Sequence, residues 1–301
     1  MADSSGQAEI RGIDIDKLAK GFADEASVLK GFVTISQTAA REIRWYQKTA
    51  GFLDSVDTTG ITLSQIAGVA ERALPTVVEQ SWTRQTSYVK KFFVESPTIS
   101  EEDIRDSDVD ILATNVRDLV RAVANQVDIR IYSVLIEAAA ATPTTPNPTN
   151  TLTTAAVADG WDDASTGNPV KDIMTGNRKI RAQGYDTSSV ILYINPVEHE
   201  NLLDYLINVK GSSIPSFSSE RVKDGVLMEL LGNKVVVSQN ATTDNALQFI
   251  PQVSATWKSF MPMTSIVVND PGIGRKIRVW EEGEALLTDP KSVHQITDTV
   301  V

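Results

Sequence analysis

The sequence predicts an α+β fold, and three observations carry that reading. Residues 76–94, TVVEQSWTRQTSYVKKFFV, alternate in the manner of a strand over far more than the usual five or six residues. From Asp108 to about Ala139 a single apolar stripe recurs at helical spacing. Beyond a Pro/Thr-rich stretch at 141–150, helix-like and strand-like segments alternate, and short strands close the chain.

Composition narrows the function classes. The chain has 301 residues, enough for two modest cores or one large one. A hydrophobic content of 42% belongs to a folded protein rather than a disordered one. With no cysteine, disulfides, thiolate zinc sites, iron–sulfur clusters and cysteine nucleophiles are excluded. Lys+Arg 28 against Asp+Glu 39 gives a net charge of −11, which argues against a dedicated DNA reader, since counterion release needs a basic face. A protein that merely encloses nucleic acid stays compatible with that balance. The opening MADSSGQAEIRGIDID has acids and no apolar h-region, so it does not read as a secretory signal. No apolar run approaches the ~18–20 residues of a membrane helix, and a soluble intracellular protein without a membrane partner is expected.

Motifs of catalysis fail on inspection. His199 and His294 are the two histidines. His199-Glu200 opens like a zinc-protease helix, but the position of the second histidine is Leu203. Gly272-Ile273-Gly274 begins a dinucleotide fingerprint that breaks at Ile277. Gly232-Asn233-Lys234 lacks the glycine loop and the Ser/Thr of a phosphate loop. No catalytic, cofactor-binding or metal-ligating residue is assigned, and a non-enzyme is expected.

Element by element, residues 1–13 are polar. Ile15, Leu18, Phe22, Leu29 and Phe32 suggest a short amphipathic helix, with Asp14 or Asp16 as cap and Gly31 as stop. Residues 36–49 fit a helix through Ile43 and Tyr46, or a strand through Ile43, Trp45 and Gln47; the helix is preferred. The run 76–94 is rich in β-branched and aromatic residues and alternates through Val78, Gln80, Trp82, Arg84, Thr86, Tyr88, Lys90 and Phe92. At ~3.3 Å per residue it would extend about 60 Å. It reads as one limb of a protruding hairpin with residues 60–75 as partner limb, the alternative being two strands broken near Gln85-Thr86.

An acidic run, Glu101, Glu102, Asp103, Asp106 and Asp108, precedes the long helix, whose stripe is Val109, Leu112, Val116, Leu119, Val123, Val127, Ile131 and Leu135. Ser107 with Asp110 makes a capping box. A rod of about 48 Å must lay its stripe on something equally long, a sheet or a neighbouring chain. Further on, a helix from Val170 stops at Gly184, and Ser189–Ile194 reads as a strand buried on both faces. Asn195-Pro196 caps a helix through Leu206, and residues 211–219 read as a loop. Short strands are expected at 234–237, 246–250, 265–268, 276–280 and 284–287, with a hairpin turn at Asp270-Pro271-Gly272.

In this order the chain resembles the major capsid proteins of tailed bacteriophages and related viruses, the Hong Kong 97 fold. Five stretches carry the resemblance. Pro97-Thr98-Ile99-Ser100-Glu101-Glu102 looks like that family's passage from extended loop to spine helix. Asp128-Ile129-Arg130-Ile131 resembles its recurrent aspartate near the helix end. Ile191-Leu192-Tyr193-Ile194-Asn195-Pro196 is similar to its strand–Asn-Pro–helix element. Leu230-Leu231-Gly232-Asn233-Lys234-Val235-Val236-Val237-Ser238 matches its leucine–glycine–valine strand, and Leu287-Thr288-Asp289-Pro290 its closing strand. The likeness covers about residues 60–301.

The resemblance implies an N-terminal arm (1–54), an extended β-hairpin loop (55–98) and a peripheral domain with the spine helix and a β-sheet (99–150 and 256–285). It further implies an α/β axial domain (151–255 and 286–301). It also implies hexamers and pentamers of an icosahedral virion shell around double-stranded DNA, assembled in the host cytoplasm. Portal, scaffolding and decoration proteins are the partners such shells have. An encapsulin-type nanocompartment enclosing enzyme cargo is the alternative the same fold supports, and a soluble α/β carboxylate enzyme is the remaining one.

Charge suggests where copies meet. Residues 81–93 hold Arg84, Lys90 and Lys91 and no acids, whereas residues 101–110 hold six acids and one base. Pairing these across subunits would fix register, with Trp82, Tyr88 and Phe92 as apolar anchors. The interface set is therefore Trp82, Arg84, Tyr88, Lys90, Lys91, Phe92, Glu101, Glu102, Asp103 and Asp106. A solvated helix cap and a wet strand face are the bland alternative. Arg178, Lys179 and Arg181, and Arg275, Lys276 and Arg278, read as solubilising charge or as non-specific contacts to genome or acids.

Overall fold

The computed structural model describes residues 28–48, 68–74, 82–100, 109–136, 153–163, 165–209 and 229–300. These divide into two compact units. One gathers residues 28–43, 87–100, 109–131 and 257–286; the other gathers 44–48, 68–74, 82–86, 132–136, 153–163, 165–209, 229–256 and 287–300.

The first unit is a sheet on a long helix. Its strands are β1 (Thr34–Gln37), β4 (Lys90–Glu95) and β5 (Ile99–Ser100), with most of β11 (Ala255–Asp270) and β12 (Gly274–Leu287). The order is β1-β11-β12-β4, and β5 also pairs with β12. Helix α1 (Val109–Leu135) carries the expected stripe: Val116, Val123, Val127, Ile131 and Leu135 are buried, joined by Val120 and Ala124, while Leu119 is half-buried. Over 27 residues the rod runs about 40 Å. Val116, Val120, Val123 and Ala124 pack on Met263, Ile277 and Val279 of the sheet, with Phe92, Val94 and Ile99 at the margin. Fully burying each such aliphatic side chain is worth about 1.5–3 kcal/mol, so the rod is held by its own sheet.

The second unit contains a six-stranded sheet, β6-β13-β10-β7-β9-β8. Its strands are β6 (Thr153–Ala156), β7 (Ile191–Ile194), β8 (Glu229–Leu230), β9 (Asn233–Val237), β10 (Asn245–Phe249) and β13 (Val293–Thr297). Helices α2 (Pro169–Ala182) and α3 (Pro196–Asp204) flank it, and a π-helical turn, Tyr205–Val209, extends α3. As the run of apolar residues predicts, all four residues of β7 are buried. Asn195 caps α3 by accepting the Val197 N–H at 3.1 Å, and Asn168 does the same for Lys171 at the head of α2. The core gathers Trp161, Ile173, Leu192, Leu202, Tyr205 and Ile296.

Several expectations are corrected. Residues 36–49 are strand, not helix: β1 is followed by β2 (Glu42–Lys48), which buries Ile43 and exposes Glu42, Arg44 and Tyr46, a period of two. The long ribbon is two strands, β3 (Trp82–Tyr88) and β4, broken at Val89. β3 buries odd positions, Gln85 and Ser87; β4 turns even positions, Phe92 and Val94, toward the core. One unbroken strand cannot change parity, so the break is obligatory. The partner of β3 is β2, not residues 60–75; of those, 68–74 contain no strand and the rest lie outside the described residues. Expected strands at 276–280 and 284–287 merge into β12, and 265–268 is part of the 16-residue β11. Their hairpin turn does fall at Pro271–Ile273, with Gly272 at φ +79°. Gly31 lies inside a 3-10 helix, Leu29–Phe32, rather than after a helix, and Ile15, Leu18 and Phe22 fall outside the described residues, as does the loop at 211–219.

Candidate subunit interface

β2 and β3 form a two-stranded sheet of their own. Both strands expose even-numbered residues: Tyr46 is 62% exposed, Trp82 54% and Tyr88 46%, and Arg84 is exposed between the last two. The odd-numbered residues Ile43, Gln85 and Ser87 are buried, so one face of this ribbon is covered and the other carries exposed rings. The Val89 N–H donates to the Arg41 carbonyl at 2.9 Å, continuing the pairing beyond Tyr88.

The other bases expected at the interface sit differently. Lys90 is half-buried, and burial, with Arg130 nearby, lowers its pKa, opposed by Glu284. Lys91 is exposed and pairs with Glu282 at 3.7 Å, its Nζ lying 5.0 Å from the Phe93 ring and 5.4 Å from that of Trp280. Phe92 packs inward, 6.4 Å from Trp257, so the exposed aromatic of β4 is its neighbour Phe93. Thus Trp82, Arg84 and Tyr88 share one strand, while Lys90, Lys91 and Phe92 belong to the edge strand of the larger sheet. Glu101, Glu102, Asp103 and Asp106 lie outside the described residues.

Between α1 and β12 lies a layer of buried charge that motif reading missed. Asp128, fully buried, accepts the backbone N–H groups of Val28, Leu29 and Lys30 at 2.7, 3.3 and 3.3 Å. Lys30 pairs with buried Glu281, and Arg130 with buried Glu284 at 2.7 Å. On the opposite face Arg41 reaches Glu282 at 3.3 Å and stacks on Phe260. Burial dominates at Glu284 and raises its pKa; Arg130 and Lys90 pull it back. The sequence did offer a signal here, since four consecutive residues, Glu281-Glu282-Gly283-Glu284, look like a turn but lie inside β12.

Two further basic clusters are Arg178, Lys179 and Arg181 on α2 and Arg275, Lys276 and Arg278 on β12. Lys276 and Arg278 both pair with Glu95 of β4. Among the described residues no group of three His, Cys, Asp or Glu side chains could hold a metal ion, and no helix is long and apolar enough to cross a membrane.

Residues 96–293 match the family model described as phage capsid protein. The chain belongs to the phage capsid protein family. Among curated proteins no sequence relative matches it. The fold of this phage capsid protein is similar to the capsid of cyanophage P-SCSP1u, with a TM-score of 0.64 at 11% identity over 90% of this chain and 88% of that one. A capsid chain of an empty GTA particle gives 0.63 at 13%, covering 91% and 90%. A virus-like particle from Pyrococcus furiosus gives 0.59 at 11%, covering 94% and 98%. The Hong Kong 97 type of fold read from the sequence is therefore the fold the capsid protein has.

Proposed function

We propose that this chain self-assembles into hexamers and pentamers of an icosahedral shell enclosing double-stranded DNA, as the major protein of a virion capsid assembled in the host cytoplasm. One observation supports the assembly step: a capsid-family chain presents Tyr46, Trp82 and Tyr88 on the exposed face of a two-stranded ribbon. A neighbouring copy supplies the missing cover, and because the covered patch differs from the covering one, the contact propagates around a ring. The division into arm (1–54), extended loop (55–98), peripheral domain (99–150, 256–285) and axial domain (151–255, 286–301) belongs to the same proposal.

Arg84 is the base best placed to meet the acidic run Glu101, Glu102, Asp103 and Asp106 of a neighbour, since Lys91 already serves Glu282 and Lys90 faces Arg130 and Glu284. An exposed pair contributes only ~0–1 kcal/mol, so it sets register while buried rings supply cohesion. With a net charge of −11 the shell contacts DNA without reading it, and portal, scaffolding and decoration proteins are its expected partners.

The full-length chain, expressed and purified, is expected to give closed particles with five- and six-fold capsomers in negative-stain electron microscopy. Particles recovered from infected cells are expected to hold nuclease-protected DNA. Particles filled with protein and free of DNA would instead support a nanocompartment. Persistent 32.8 kDa monomers would overturn both.

A further inference from the structure

The 3-10 helix Leu29–Phe32 has no cap of its own: its N-cap residue is Val28, whose side chain makes no capping hydrogen bond. The first N–H groups of a helix need an acceptor, and here the acceptor comes from a hundred residues away, the carboxylate of Asp128 in the last third of α1. Asp128 is fully buried, and a buried carboxylate is tolerated only where donors surround it. The two halves of this contact therefore need each other. Without residues 28–30 the buried aspartate loses three donors; without Asp128 three amides lose this acceptor.

What the contact holds in place is an edge. Downstream of Leu29–Phe32 the chain forms β1, which pairs with β11 at the end of the sheet, and the Thr38 N–H then donates to the Ser259 carbonyl at 2.9 Å. Lys30 to Glu281 and Arg41 to Glu282 fasten the same stretch at two more points. β1 is four residues long against the 16 of β11, so it covers part of that edge, and an unpaired strand edge is a template for strands of other chains. For a protein that meets many copies of itself, an open edge invites the wrong pairing.

We propose that Asp128 is an internal latch: it clamps residues 28–41 onto their own subunit, keeps β1 over the β11 edge, and so restricts copies of this chain to the productive shell contacts. The clamp itself stands on the geometry alone, and its consequence for assembly rests on the shell-forming reading above. Asp128 is a positioning residue, acting through the segment it holds.

Hydrogen exchange measured by mass spectrometry on the unassembled full chain tests it, alongside negative-stain microscopy of the same preparations. In Asp128→Asn, exchange across residues 28–38 should rise tenfold or more while β7 and α2 keep wild-type protection, and the yield of closed shells should fall in favour of irregular aggregates. Should Asp128→Asn lose protection everywhere, Lys30→Met, which strips the Glu281 pair and leaves Asp128, should loosen the same stretch by a smaller factor. Unchanged exchange at 28–38 in the folded variants overturns the latch. A loosened segment with normal shell yield overturns its role in assembly. Wild-type chain that forms no shells at all counts against the shell reading and leaves the exchange result to judge the clamp.

Discussion

At the scale of single residues, the charges along α1 and β12 are where chemistry and burial compete. Arg130 meets Glu284 at 2.7 Å, both largely buried, and breaking such a pair costs more than the pair itself contributes, because one charge stays behind unpaired. Arg130→Met keeps helix propensity and stem volume but strands Glu284. It should lower unfolding free energy by about 3 kcal/mol at neutral pH. The pH dependence has a definite sign. Burial already raises the Glu284 pKa, and losing Arg130 raises it further. A carboxyl with a folded pKa above its unfolded value of about 4.3 binds the proton more tightly when folded, so its stabilisation is present at low pH and lost as pH rises through the folded value. Urea denaturation of Arg130→Met and wild type at pH 5 and pH 8 should therefore show the smaller deficit at pH 5. A deficit that stays constant or grows toward pH 5 would mean Glu284 is not the stranded group.

At the scale of elements, α2 approaches its sheet at Gly176. A Cβ there would lie 1.6 Å from Gln248 Oε1 and 2.6 Å from His294 Cδ2. Gln248 and His294 face each other across β10 and β13, both fully buried, and Gln248 Nε2 is tied to the Ile173 carbonyl and to Asn177 Oδ1. Alanine normally stabilises a helix interior by about 1 kcal/mol relative to glycine. Here overpacking wins, and Gly176→Ala should destabilise the protein by about 1–3 kcal/mol in thermal or urea melts. A stabilised variant would show that α2 rides higher on the sheet than described.

Legibility of the elements followed how local their signals were. α1, α2, β7 and the Asn195-Pro196 start of α3 were readable because a stripe, a cap or a doubly buried run lies within the segment itself. β2 was misread because its helix and strand patterns overlap and only its partner β3 decides between them. The break falls at Val89 rather than near Gln85-Thr86, because the parity change from Ser87 to Phe92 becomes meaningful only once the faces of two different sheets are known. β12 was cut in two because Glu281, Glu282 and Glu284 look like a solvated turn until Lys30, Arg41 and Arg130 arrive from distant parts of the chain. For the same reason exposure was only partly legible: Trp82, Arg84 and Tyr88 lie on one exposed strand face, whereas Phe92 points inward and Phe93 is exposed in its place. Asp128 was noticed for its place in the helix, but nothing in the sequence tells that its partners are backbone amides.

At the scale of the whole molecule, the distribution of cover is uneven. Among its described side chains, Val116, Val120, Val123 and Ala124 of α1 find their cover on its own sheet. The ribbon is different, for its aromatic face stays open in the single chain. Under the proposed function, that open aromatic face is where a neighbouring copy would add cover. A cryo-electron-microscopy reconstruction of the assembled particle, at a resolution that shows side chains, reads this directly. Trp82, Arg84 and Tyr88 should be buried against a neighbouring copy; the same three residues lying against their own subunit, or open to solvent within the finished particle, would contradict the account.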